Sequence, residues 1–206
     1  MKKNFVSNSS ESTRMFKSDL LESLSKVPFY VPLIVYIPVI GYMTWRSLAV
    51  NSMNLLHFAG AVVGGILIWS IAEYVLHRFV FHFHPTSSWG RRIHFIFHGV
   101  HHDYPNDARR LVMPPSASIP LAILFFLLFQ AIFTPYWLYA FFAGFIIGYL
   151  IYDMTHYALH HHNFKSAFWR NLKKHHMLHH YSDETKGYGV SSAFWDSVFR
   201  TDFLKK

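Results

Sequence analysis

The sequence predicts an all-α membrane protein with four transmembrane helices in two hairpins and a cytosolic helical cap. Three observations predict it. Hydrophobic residues make up 52% of the 206-residue chain and charged residues only 15%, where a soluble domain carries about 25% charged residues. Uncharged runs long enough to cross a bilayer recur along the chain. Basic residues collect in the segments outside those runs. The aromatic content of 19% excludes a disordered chain, which is poor in aromatics.

The elements follow in order. The first 26 residues are polar and Ser-rich, with no apolar core of a secretory signal. They predict a polar tail, 1–26, leading through an amphipathic stretch near Met15 to Leu24 into a membrane domain, 27–206. Val27 to Trp45 is uncharged and predicts a first span over 28–46, about the 20 residues a helix needs to cross hydrocarbon. Ser47 to Ala72 is uncharged, most apolar from Leu55, and predicts a second span over 54–75. Leu111 to Tyr152 is an uncharged run of 42 residues. That is too long for one helix, and Thr134-Pro135 is the natural break because proline ends a helix. It predicts spans over 117–134 and 136–155.

Two hairpins return the chain to the same side each time. The N-terminus, 76–112 and 156–206 then share one face, and 18 of the 19 Lys and Arg lie there, Arg46 being the exception. This is the positive-inside pattern. The net charge of +8 therefore reads as orientation and headgroup contact, with both termini cytoplasmic, and not as a nucleic-acid footprint. The expected location is multi-pass, in the inner membrane of a bacterium or the endoplasmic reticulum of a eukaryote. The absence of cysteine excludes disulfides, Cys-ligated zinc, iron–sulfur clusters and a thiol nucleophile.

Sixteen histidines remain to be explained. Ten fall in four clusters: His77 and His82; His98, His101 and His102; His156 and His160; His176, His179 and His180. All four clusters lie on the face defined above. Helical residues three and four apart share a side, so His156 and His160 point the same way, and each triplet can do so. His77 and His82 are five apart, about 140° round an ideal helix; either they serve different metals or the helix ends between them. Ten imidazoles exceed what one metal holds, and two metals are the simplest arrangement. Imidazole suits Fe, Zn, Cu and Ni. Zinc has no redox chemistry, whereas a pair of irons can activate O₂ beside a lipid chain; iron is the expected metal, and zinc is able to occupy the same ligands in purified protein. His57 lies near the opposite face. His84, His94, His161, His162 and His175 read as outer or solvent-facing residues.

The series His-x4-His, His-x2-His-His, His-x3-His, His-x2-His-His resembles the fatty acid hydroxylase superfamily of membrane di-metal enzymes. EYVLHRFVFH, FHGVHHDYPNDARRLVMPP, YDMTHYALHH, LKKHHMLHHY and GYGVSSAFWDSVFRT are similar to its fatty acid 2-hydroxylase branch, over about residues 70–203. The resemblance implies a catalytic helical cap on a four-helix membrane bundle. The ten clustered histidines would hold two metals beside a hydrophobic channel. One oxygen of O₂ would enter the alpha carbon of a sphingolipid or fatty acyl chain and the other would leave as water, with two external electrons. Eukaryotic members often carry an N-terminal cytochrome b5 domain, for which 26 residues are too few, so a separate redox partner such as a cytochrome b5 or ferredoxin system is expected.

Metal-bound imidazoles usually donate their second N–H to a carboxylate or carbonyl. Glu73, Asp103 and Asp153, each close to a clustered histidine, are the carboxylate candidates. Tyr152, Tyr157 and Tyr181 are candidates for the substrate-channel mouth. Two rival functions compete. A carotenoid or sterol hydroxylase or a desaturase would use similar metal chemistry, but desaturases usually show three His boxes without the extra His-x3-His pair. A His-rich metal transporter should place ionisable groups at the bilayer midplane, whereas the histidines here sit at one rim.

Overall fold

The structure, a computed structural model, describes residues 6, 7 and 9–203; the first five positions and position 8 of the proposed polar tail lie outside the described residues. Short α1 (Asp19–Leu24) starts at Ser18, whose hydroxyl accepts from the Leu21 amide. Helix α2 (Val31–Trp45) runs on as a π turn, Arg46–Val50. Helix α3 (Leu55–Val75) is capped by Asn54, which accepts from the His57 amide at 2.9 Å, and passes into a π segment, Leu76–Phe81. The cap then forms α4 (Ser88–His94), a π turn over Phe95–Gly99, and α5 (Val100–Asp103). Helices α6 (Pro115–Ile132) and α7 (Pro135–His161) follow. Helices α8 (Ala167–Tyr181) and α9 (Phe194–Phe199) complete the cap.

Four helical stretches are long and apolar enough to cross a membrane: Val31–Val50, Leu55–Phe81, Pro115–Ile132 and Pro135–His161. The protein is a multi-pass membrane protein. The break at Thr134-Pro135 is where the sequence puts it, with Pro135 at the first helical position, where its missing N–H costs nothing. The second and fourth helices run on to Phe81 and His161 instead of stopping near 75 and 155. Hydropathy ends a span at the first polar cluster, but here Glu73, Asp153 and the histidines face the protein interior, so the helices continue.

Helix α7 is the hub. Of its apolar window 72% is buried, against 11–17% for the other three spans, which face outward. It packs against α3 at near-backbone distance. A Cβ on Gly144 would lie 2.0 Å from the Val62 carbonyl oxygen, and one on Gly65 would lie 2.1 Å from that of Phe141. Small residues at such crossings let membrane helices approach closely. Above them Trp69, Phe145 and Tyr149 interlock edge to face. Helices α2 and α6 are joined by a Tyr36–Ser118 hydroxyl hydrogen bond of 3.0 Å.

The segment ahead of the first span lies across the cap. The Ser7 amide donates to the Asp103 carbonyl at 2.8 Å, Arg92 reaches the Met15 carbonyl and Arg110 that of Thr13. Glu22 is buried and accepts from Arg110 at 2.7 Å, Lys26 at 2.5 Å, and the Met15 and Phe16 amides at 2.9 Å. Burial alone would raise its pKa; Lys26, the two amides and Arg110 outweigh that and bring it down to about 2.

Candidate metal centre

The four histidine clusters meet at the cap-side ends of α3 and α7, beneath α5 and α8. They sort into two groups of five: His77, His82, His98, His102 and His179; and His101, His156, His160, His176 and His180. Within each group one ring nitrogen per residue lies within 4.8 Å of all the others. Nine of the ten side chains are buried and His160 is nearly so. The two groups touch, with the His102 and His180 rings stacked at 4.2 Å.

Local geometry explains the sorting. His77 and His82 share a group because the helix widens between them. The His82 amide donates to the His77 carbonyl at 3.1 Å, an i to i+5 bond. The sequence leaves two possibilities for this pair, different metals or a helix that ends between them; the helix does end at Phe81, and the π turn that closes it brings both residues to one side. The triplets also divide, where spacing allowed a single face. His98 and His102, four apart, join the first group while His101 turns to the second. His176 and His180 join the second group while His179 turns to the first. Adjacent residues point about 100° apart on a helix, so each His-His pair supplies one ligand to each group.

The protonation pattern fits metals. His77 Nδ1 lies 2.5 Å from the Tyr188 carbonyl oxygen and His179 Nδ1 lies 2.6 Å from that of Lys186. A carbonyl only accepts, so each Nδ1 carries the proton and each Nε2 presents a lone pair. Those Nε2 atoms face others: His77 to His98 at 3.0 Å, and His179 to His82 at 3.0 Å. In the second group the same closeness joins His101 to His156 and His160 to His176, both at 2.9 Å. Burial, reinforced by the neighbouring imidazoles, drives His82, His98, His101, His102, His176 and His180 below the ordinary histidine range. Burial lowers His179 to about 4. Buried, neutral imidazoles with converging nitrogens are the ligand state that a transition metal requires.

The hydrogen bonds of the candidate carboxylates Glu73 and Asp153 run to groups other than the clustered histidines. Glu73, a helical turn before His77, accepts from the Val190 and Ser191 amides at 2.8 Å and from the Ser191 hydroxyl. Asp153 accepts from the Met113 amide at 3.3 Å. Asp103 is half-buried beside His102. The acceptors of the two bonds described above are backbone carbonyls, which spacing in the sequence cannot reveal. His175 bonds to Asp196 at 3.0 Å. Asp196 was recognisable only as part of the Phe-Trp-Asp block. His57 lies at the opposite end, bonded to Asn54 and Tyr136.

The sequence profile described as fatty acid hydroxylase matches residues 62–201. The chain belongs to the fatty acid hydroxylase family. The dihydroceramide fatty acyl 2-hydroxylase of Arabidopsis thaliana is 41% identical over 191 residues, covering 93% of this chain and 80% of that protein. The human fatty acid 2-hydroxylase is 36% identical over 208 residues, covering 91% of this chain and 56% of that protein. A solved structure of full-length scs7p, in which only the hydroxylase domain is visible, superposes with a TM-score of 0.85 at 41% identity, covering 90% of this chain and 70% of that one.

In this fatty acid hydroxylase a cavity of about 330 Å³ reaches both histidine groups, through His82 and His102 of one and His180 of the other. Arg91, Asp103 and Glu184 also line it. Of the three candidate channel tyrosines, Tyr152 is buried with its ring 5.7 Å from that of His156. Tyr157 stacks on Phe29 at 4.6 Å, and Tyr181 is exposed.

Proposed function

We propose that the ten histidines hold two irons and that the protein hydroxylates carbon 2 of an acyl chain, as a ceramide or as a free fatty acid. The observation that carries this reading is the pair of five-histidine groups with neutral, converging nitrogens, in a chain 41% identical to a protein named for dihydroceramide fatty acyl 2-hydroxylation. The reaction consumes the acyl lipid, O₂, two electrons and two protons. It yields the 2-hydroxyacyl lipid and water. Bound iron would supply the redox power to turn a C–H bond into C–OH, a net oxidation that side-chain acid–base chemistry cannot perform.

The chain's own residues supply position. Hydrogen bonds to the Tyr188 and Lys186 carbonyls fix the tautomers of His77 and His179. The apolar faces of the four spans deliver the lipid from the bilayer, and the histidines sit at the cytosolic rim of that bundle. A lipid held by its headgroup at the interface then brings its carboxyl-end carbons, rather than its tail, to the metals. The charged residues of the cavity lining, Arg91, Asp103 and Glu184, suit the head of the lipid. Electrons come from a redox partner on the cytoplasmic side of the membrane.

Purified protein reconstituted with iron, O₂, a two-electron donor and an N-acyl sphingoid lipid tests this. With ¹⁸O₂ the expected product carries one labelled hydroxyl at carbon 2. Oxygen at the far end of the chain, or product without O₂, overturns the reading.

A further inference from the structure

The two carbonyls that fix His77 and His179 belong to one short turn, residues 186–191, between α8 and α9. Two buried carboxylates from different elements grip it. Asp196 of α9, fully buried, accepts from the Tyr188 amide at 2.9 Å, the Gly189 amide at 2.8 Å, the Thr201 hydroxyl at 2.7 Å and His175 Nε2 at 3.0 Å. Glu73 of α3 takes the next two amides, Val190 and Ser191, and the Ser191 hydroxyl. Burial would raise the Asp196 pKa, but these donors hold it below the usual carboxylate range, so it grips as an anion. The backbone is built for this path. Gly187 has φ of +72° and its amide donates to the Thr201 carbonyl at 2.8 Å. A Cβ on Gly189 would lie 2.1 Å from the Ser192 carbonyl oxygen. Among the described residues, the turn bonds to ligands of the first group only.

We propose that turn 186–191 is a clamp for one of the two metals, the one held by His77, His82, His98, His102 and His179, and that Asp196 and Glu73 are its positioning residues. The proposal rests on the two-metal reading above. An acceptor that fixes an imidazole's tautomer and orientation raises its quality as a ligand, and loss of such a partner weakens metal binding about 10- to 100-fold. Asp196→Asn puts an amide N–H₂ among N–H and O–H donors that need acceptors. The turn then relaxes and the two carbonyls drift from His77 and His179. The second group keeps its ligands, because they are set by α5, α7 and α8.

The test is metal stoichiometry and chelator release on the intact, metal-loaded protein in detergent, with cobalt absorption as a second readout. Wild type should hold two metals per chain. Asp196→Asn should lose one of them about 10- to 100-fold faster under chelator, with half the cobalt ligand-field absorption, while the other metal leaves at the wild-type rate. Glu73→Gln and the milder Ser191→Ala should accelerate loss of the same metal, and these stand in should Asp196→Asn not fold. Adding His101→Ala to the Asp196 variant should remove the remaining metal; adding His82→Ala should not. Two metals released at equal rates in all three clamp variants, whether slow or fast, overturn the clamp alone. A wild type that never holds two metals overturns the reading beneath it as well.

Discussion

The His82 backbone amide donates to the His77 carbonyl 3.1 Å away, and this single π bond lets residues five apart serve one centre. An α turn would have pointed their side chains about 140° apart. The consequence is a partition that can be measured. His82→Ala and His77→Ala are expected to deplete the same metal, the double variant losing no more than one equivalent. His101→Ala, next to His102 in sequence, should deplete the other. Elemental analysis of single and double variants checks this, and losses that do not divide into two sets would refute it.

How much of this was legible beforehand depends on the kind of interaction. Spans and their break at Thr134-Pro135 follow from charge spacing and proline chemistry, which are properties of single stretches of chain. The ten histidines follow from clustering on one face. Their sorting does not, because it turns on helix widening at Leu76–Phe81 and on which side of a helix packs inward. Asp196 was invisible as a positioning group because it acts on backbone amides of a turn eight residues earlier, and backbone groups leave no mark in a sequence. Glu73 was visible as a carboxylate four before a histidine, yet that spacing pointed to His77 itself rather than to the Val190 and Ser191 amides it holds.

The strap ahead of the first span should resist acid. Glu22 has its pKa lowered from 4.5 to about 2, so its stabilisation is fully present above about 4.5 and is lost as pH falls toward 2. The protection factors of the Met15 and Phe16 amides are expected to hold at pH 4 and to fall as pH approaches 2. Glu22→Gln removes the charge that Arg110 and Lys26 share and loosens the strap, while Asp107, 3.4 Å from Arg110, still balances the guanidinium. Exchange at these amides should then be fast at neutral pH.

Close helix contact gives a matched pair of glycine substitutions. Gly144→Ala must push its Cβ into the Val62 carbonyl, while a Cβ on Gly60 meets nothing within 4 Å. Separating α3 from α7 should cost about 1–3 kcal/mol and lower the melting temperature in detergent. Gly60→Ala should hold or raise it, because Ala is favoured over Gly at an open position inside a helix. Equal melting temperatures for the two variants would show that α3 and α7 are not held together at this crossing.

Topology is the last expectation, and it turns on a single arginine. Among the described residues, the Lys and Arg other than Arg46 lie on the histidine side, and a cation at the far end of a span would ordinarily weaken the positive-inside bias. Arg46 is engaged there. Its guanidinium lies 4.9 Å from the Tyr139 ring centroid and donates to a hydroxyl of that residue at 3.2 Å. The far end is otherwise closed by uncharged contacts, with Asn51 donating to the Pro135 carbonyl at 2.7 Å and His57 bonded to Tyr136. Reporters fused at either terminus are therefore expected to read cytoplasmic, and tags between Ser52 and Asn54 or at Thr134 should read as the opposite side. Replacing Arg46 by Gln should leave this orientation unchanged, because the bias rests on the 18 other basic residues. Termini found on opposite sides would break the two-hairpin arrangement and separate the histidine groups across the membrane.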